Sequence, residues 1–208
     1  MDTTATLFLK SLLVGLSIAA PVGPIGLLAI QRTLDQGLRA GLATGLGAAC
    51  ADACYGALGA WGVALVIDWL VGARLWLATF GGLLLLWMAW STWRQPPAAQ
   101  AAALPSQREL LRCFAGTFVL TLSNPLTILS FIAVFGALAG QAGAGLAALP
   151  LVAGVFLGSA LWWLALSLGV ARVRERFGVR WRQRVARGSA LVLAGFALWQ
   201  GVGAWQHA

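Results

Sequence analysis

The chain has 208 residues and a formal net charge of +8, with 60% hydrophobic and only 10% charged residues, and its mean hydropathy is +0.85. A soluble domain cannot hide that much apolar surface, so the composition excludes one and requires a bilayer. The charges fall between apolar runs and form no groove-facing stripe, which argues against nucleic acid as a partner.

The first apolar run is Leu7–Ile30. Its Leu7–Ala20 part has the look of a secretory leader, but Asp2 offsets Lys10 and the hydrophobicity continues past Pro21, so it reads as a retained span. Inside the run lies Pro21-Val22-Gly23-Pro24, which breaks the backbone. Pro24 suits the first turn of a new half-helix, whose free N–H groups and positive dipole end would favour an anion. The second run, Ala40–Ile67, carries Asp52 near its middle. A carboxylate there costs about 2.5–3.5 kcal/mol on insertion scales and must face protein or water. At about 100° per residue, Gly41, Gly45, Asp52, Gly56 and Gly59 fall in one sector of roughly 60°, joined by Ala48. Asp52 is therefore predicted on a small-residue face where helices approach closely, with Tyr55 flanking it. As a proton carrier it would serve transport; the packing alternative is a protonated acid bonded to a neighbouring helix.

The third run is Leu75–Trp93. Arg94–Arg112 follows, with a Pro96–Ala103 centre that reads as a flexible linker between a first half, residues 1–93, and a second half, residues 113–208. The fourth run, Phe114–Leu138, is broken at Ser123-Asn124-Pro125. Pro125 frees a carbonyl one turn earlier, near Thr121, and Thr117, Thr121 and Asn124 share one helix face. The fifth and sixth runs are Leu146–Leu168 and Ser189–Trp205.

Six spans give an all-α membrane protein as the predicted fold, with helices one and four broken at proline. Three spans per half enter from opposite sides, which allows a 3+3 inverted repeat. Placing Pro21 on Pro125 also superposes Ser17 on Thr121. Arginines gather after the first, third and fifth runs, the last cluster being Arg172–Arg187, against Lys10 and Arg74 on the other side. The positive-inside rule then places both termini outside the cytoplasm. Trp87, Trp90, Trp93, Trp199 and Trp205 suit an aromatic belt, whereas Trp162 and Trp163 lie deeper and are expected to pack between helices.

Paired breaks at corresponding places in two halves point to a transporter's binding site near the midplane. The predicted substrate site comprises Pro21, Gly23, Pro24, Thr121, Asn124 and Pro125, with Asp52 for proton coupling and Ser17 and Tyr55 in support. No cofactor or metal is implied. Cys50 and Cys54 lie about 160° from Asp52 around their helix, so one helix cannot wrap all three about an ion. Together with Cys113 they number three, all in or beside apolar runs, which is no disulfide framework. A thiol–disulfide carrier would need a reactive pair able to meet, and a hydrolytic enzyme would need a base where the sole histidine is His207 in the tail. The Gly-rich faces suit a homo-oligomer and internal packing equally.

With these motifs in hand, the chain resembles the LysE family of bacterial exporters (LysE/RhtB type). The resemblance rests on Pro21-Val22-Gly23-Pro24, on Asn124-Pro125, on Gly37-Leu38-Arg39-Ala40-Gly41-Leu42, and on Gly45-Leu46-Gly47-Ala48-Ala49-Cys50-Ala51-Asp52. It implies a secondary transporter in the bacterial inner membrane, exporting amino acids or related small metabolites and driven by an ion gradient; a metal-cation exporter is the alternative. Many members place Lys after Asn-Pro, where this chain has Leu126, and basic-amino-acid exporters tend to carry an Asp where this chain has Ser130. A neutral substrate therefore fits better than a dication.

Overall fold

The computed structural model describes residues 3–21, 23–60, 72–94, 105–124, 127–131, 148–174 and 178–206, and the regular structure among them is helical. The helices are α1 (Thr3–Ala19), α2 (Pro24–Gln36), α3 (Leu38–Ala60), α4 (Arg74–Arg94), α5 (Gln107–Leu122), α6 (Leu149–Arg174) and α7 (Val179–Gln206). Residues 127–131 add a further helical turn. The Leu75–Arg94 stretch of α4 and the whole of α6 are each long and apolar enough to cross a bilayer. Residues Thr4–Ala19 of α1 together with α2 meet the same test as one span bent by 78°.

The bend has a local cause. Proline 21 cannot continue a helix and biases its predecessor away from helical geometry, and α1 closes with the Ala20 N–H on the Leu16 carbonyl at 3.0 Å. Gly23 is extended, at φ −100° and ψ −163°, and Pro24 opens α2. At its other end α2 stops at Gly37, whose φ of 92° is left-handed and whose N–H returns to the Thr33 carbonyl. Helix α5 begins inside the segment expected to be linker. Ser106 caps it: its hydroxyl accepts from the Glu109 N–H while Glu109 accepts from the Ser106 N–H, a capping box that fixes the helix start. Those bonds hold the exposed Glu109 carboxyl below the usual carboxylate range. The Pro96–Ala103 centre lies outside the described residues.

Helix α6 is the hub. On one side it packs against α1, on another against α3, while α4 pairs with α7 and α3 also pairs with α5. Helix α2 threads between α3, α6 and α7. Small residues set the approach distances. A Cβ on Gly158 would overlap the Leu12 carbonyl of α1, and one on Gly154 would stand 2.6 Å from the Phe8 carbonyl. Along α3 the small face descends antiparallel to α6: Gly41 meets Ser167, Gly45 meets Trp163, Asp52 meets Ser159 and Gly56 meets Val155. That is the face read from the sequence as one sector. Gly47, on another side of α3, meets the backbone of α5 at Phe114 and Phe118. The core splits into a cluster around Leu28, Leu85, Met88, Leu120, Trp163 and Leu193 and another around Tyr55, Phe131, Leu151 and Val155. Trp76, Trp87, Trp90, Trp93 and Trp199 are exposed, as an outer aromatic surface requires.

Close packing at Gly158 gives a sharp comparison. Gly158→Leu must push α6 off α1, at a cost of about 1–3 kcal/mol or more; Gly169→Leu, on the same helix with nothing within 4 Å of the added Cβ, meets no such clash. Thermal unfolding in detergent should show a clear loss of midpoint for the first and none for the second.

Candidate functional site

Asp52 is 4% exposed, in the contact between α3 and α6. Its Oδ2 accepts a bond from the Ser159 hydroxyl at 2.7 Å. Ser159 in turn accepts from the Trp163 indole Nε1–H at 3.1 Å. Ser159 and Trp163 are four residues apart, so they share one face of α6. The three side chains form a directed chain, from indole to hydroxyl to carboxylate, that fixes which way the serine proton points.

Beside this chain lies a cavity of about 360 Å³. Its wall includes Pro21, Gly23, Pro24, Asp52, Thr121 and Asn124, together with Ile18, Ile25, Gly26, Ala48, Thr127, Ser130, Trp163 and Phe196. Residues from both halves of the chain, and from both sides of each proline break, thus meet at one hollow. The size falls within the range of small-molecule sites. Helix α2 enters it end-on with no side-chain cap. Ile25 and Gly26 are first-turn residues whose N–H groups have no partner within a helix, and both line the hollow. The Thr121 hydroxyl is buried and has no hydrogen-bond partner among the described residues. The site therefore offers backbone donors, one carboxylate, the hydroxyls of Thr121, Thr127 and Ser130, and an amide against an apolar wall of Ile18, Ile25, Trp163 and Phe196. Basic side chains are absent from the described lining.

The remaining residues read from the sequence fall elsewhere. Tyr55 is buried against the end of α5, where its hydroxyl donates to the Leu122 carbonyl at 2.6 Å and its ring stacks on Phe131 with centroids 5.3 Å apart. Ser17 is exposed on α1 and is not part of the lining. Pro125 lies outside the described residues. The carbonyl expected to be freed near Thr121 is occupied, because the chain tightens after Leu122 and the Asn124 N–H reaches the Thr121 carbonyl at 3.2 Å. The Leu122 carbonyl is the one that Tyr55 partners from α3.

Sequence reasoning missed Ser159, Thr127, Phe196 and the lining role of Trp163. Ser159 had a signal, since a mid-membrane acid needs a donor and Ser159 is the polar residue at the centre of the fifth run. Among the cysteines, Cys50 is half-buried, Cys54 exposed and Cys113 buried, all as free thiols.

Comparison with known proteins comes from sequence. The family model described as LysE type translocator matches residues 16–200. The "Uncharacterized membrane protein YahN" of Escherichia coli (strain K12) is 32% identical over 173 residues, 81% of this chain and 77% of that protein. The "Putative amino acid efflux protein YcgF" of Bacillus subtilis (strain 168) is 28% identical, covering 81% of this chain and 82% of its own. The "Chemotactic transduction protein ChpE" of Pseudomonas aeruginosa (strain PAO1) is 27% identical over 92% of this chain and 95% of its own. No solved structure matches.

Removing the Ser159 hydroxyl takes from Asp52 and the Trp163 indole the group that bonds them both. Ser159→Ala should cost about 1–3 kcal/mol, whereas Ser159→Thr, which retains a hydroxyl, should cost less; denaturant titration in mild detergent distinguishes the two.

Proposed function

This chain is a LysE-type translocator, an integral membrane protein, and from that premise we propose that it exports amino acids or related small metabolites from the cytoplasm, coupled to proton antiport through Asp52. The observation that carries the reading is the shared cavity: an uncapped helix start, a buried carboxylate and the Thr121–Asn124 turn all line one hollow. The substrate carboxylate would sit at the first turn of α2, by Gly23, Pro24, Ile25 and Gly26, where the helix dipole favours an anion. Its polar or cationic end would face Thr121, Asn124 and the Pro125 region. Asp52 would alternate between protonated and charged forms as the cavity opens to either side. Tyr55 supports the site by satisfying the broken end of α5.

The lining favours a neutral substrate. Asp52 is the one acid among its described residues, and Ser130, where basic-amino-acid exporters tend to have Asp, lines the hollow as a serine. YcgF, named for amino acid efflux, is similar over most of both chains, which supports the same class of cargo.

The proposed architecture is six spans in a 3+3 inverted repeat in the bacterial inner membrane, with both termini outside the cytoplasm. Helix pairing supports the repeat. Exchange the halves, so that the first span replaces the fourth, the second the fifth and the third the sixth. The pairing of α1 with α6 becomes that of α5 with α3, and the pairs α3–α6 and α4–α7 map onto themselves. The principal contacts are therefore unchanged by the exchange, as a two-fold axis in the membrane plane demands. Basic residues at the proposed inner ends of α2, α4, α6 and α7 support the orientation.

Counterflow of radiolabelled amino acids into proteoliposomes tests the cargo, and neutral amino acids should exchange in preference to lysine or arginine. Asp52→Asn should abolish efflux driven by a proton gradient while counterflow persists. Undiminished gradient-driven transport in that variant would remove the proton role.

A further inference from the structure

Arg32 stands two turns along α2 from Pro24, about 12 Å by the rise of a helix. Its sequence position suggests only a positive-inside signal. The structure gives it a different setting. The guanidinium is half-buried between three helices, and its Nη1 donates at 3.0 Å to the Thr44 hydroxyl on α3, and to the Cys113 carbonyl and Thr117 hydroxyl on α5. All three acceptors are neutral oxygens. Among the described residues, Nε and Nη2 make no hydrogen bond and no carboxylate meets the group. Among the described residues a fixed cation is thus held by one nitrogen, with the rest of its planar fork unspent.

Its partners lie one turn below the cavity. Ala48 of α3 and Thr121 of α5 line the hollow; Thr44 and Thr117, each four residues earlier and so on the same faces, are the residues that Arg32 holds. The Arg32 cluster is therefore the floor of the cavity on the side proposed as cytoplasmic. Two further ties flank it on α2. Gln31 donates to Thr92 of α4 at 3.2 Å, and Arg174 of α6 donates to the Leu34 carbonyl at 2.8 Å. Helix α2 is thereby fastened to α3, α4, α5 and α6 at this end, while its other end lies open to the hollow.

We propose that Arg32 is the cytoplasmic receptor for the substrate's carboxylate, and that this carboxylate unbolts the floor. A carboxylate offers two charged acceptors in the geometry of the guanidinium fork, which the three neutral oxygens cannot match. As the outgoing molecule pairs with Arg32, Thr44, Thr117 and the Cys113 carbonyl are released, and the hydrogen bonds that tie α2 to α3 and α5 at this end are lost. The substrate then passes its carboxylate to the first turn of α2, higher in the cavity. The receptor rests on the export reading, but its ligand class, a carboxylate, is read from the guanidinium itself.

Cys113 is a native reporter, because it is buried beneath Arg32. With Cys50→Ser and Cys54→Ser as the parent, inside-out vesicles are treated with a membrane-impermeant maleimide. A mixture of L-amino acids should raise Cys113 labelling roughly tenfold by shifting the floor towards its open state, and the same mixture as amino acid amides should not. Arg32→Gln should label rapidly without addition and lose the response. Equal effects of acids and amides, or Cys113 as protected in Arg32→Gln as in the parent, would overturn the proposal. A second reporter, Ser130→Cys labelled from the opposite face, separates gating from loosening: opening the floor lowers its rate, whereas general loosening raises both. If Arg32→Gln raises both, the acid-against-amide comparison on the parent decides. Counterflow in the same vesicles keeps the two readings apart. Absence of exchange for every amino acid ends the export reading, while exchange by Arg32→Gln with parental KM and kcat ends the receptor alone.

Discussion

A carboxylate in the middle of a membrane protein has to be partnered from another helix, and that other helix has to come close enough to do it. Here both conditions are met by one surface. Gly41 and Gly45 remove the side chains that would hold α3 away from α6, and at the distance this allows, the Ser159 hydroxyl reaches Asp52 at 2.7 Å. Small residues supply van der Waals contact where water-driven association is unavailable. The polar bond and the apolar packing are thus two results of the same stripe of sequence. A bulkier α3 face would lose both.

The second constraint is the fate of freed backbone groups. In hydrocarbon each unsatisfied amide or carbonyl is expensive, so a break persists only where something answers it. The two breaks are answered differently. At the end of α5, protein does the work: Ser123 and Asn124 turn back on Val119 and Thr121, and Tyr55 takes the Leu122 carbonyl. At the start of α2 the N-cap Gly23 supplies no side-chain cap, and the first-turn residues line a hollow. Protein groups partner the described carbonyls at the end of α5, while the first turn of α2 and the Thr121–Asn124 turn both border the hollow.

Much of this was legible from residue types alone. Proline and glycine inside apolar runs mark breaks because their backbone chemistry is independent of context, and a mid-run acid marks a protein-facing surface because lipid would not tolerate it. Helical spacing then placed Asp52 on the Gly face. Helix ends were less legible. The start of α5 at Gln107 was hidden behind the absence of hydrophobicity, although Ser106 and Glu109 spell a capping box. Contacts between distant segments were not legible at all. Nothing local in sequence couples Tyr55 to Leu122, Arg174 to Leu34, or Arg32 to Thr44 and Thr117, since those meetings depend on how the helices pack. Ser17 shows the converse: a pseudo-repeat alignment drew attention to it, but alignment carries no information about which way a side chain faces, and it is exposed.

Helix α2 unites these constraints. It is short, 13 residues, and neither of its ends continues into a straight span. Its start is defined by Pro24 and opens on the cavity; its end is defined by Gly37 and is held by Arg174 through the Leu34 carbonyl. Between them, Gln31 and Arg32 tie it to three helices by hydrogen bonds, while Leu28 and Ala29 bury its middle in the core. Eight of its thirteen residues are buried, so α2 is held by packing against α3, α6 and α7 along its length, and the directional bonds at its Gly37 end add to that packing.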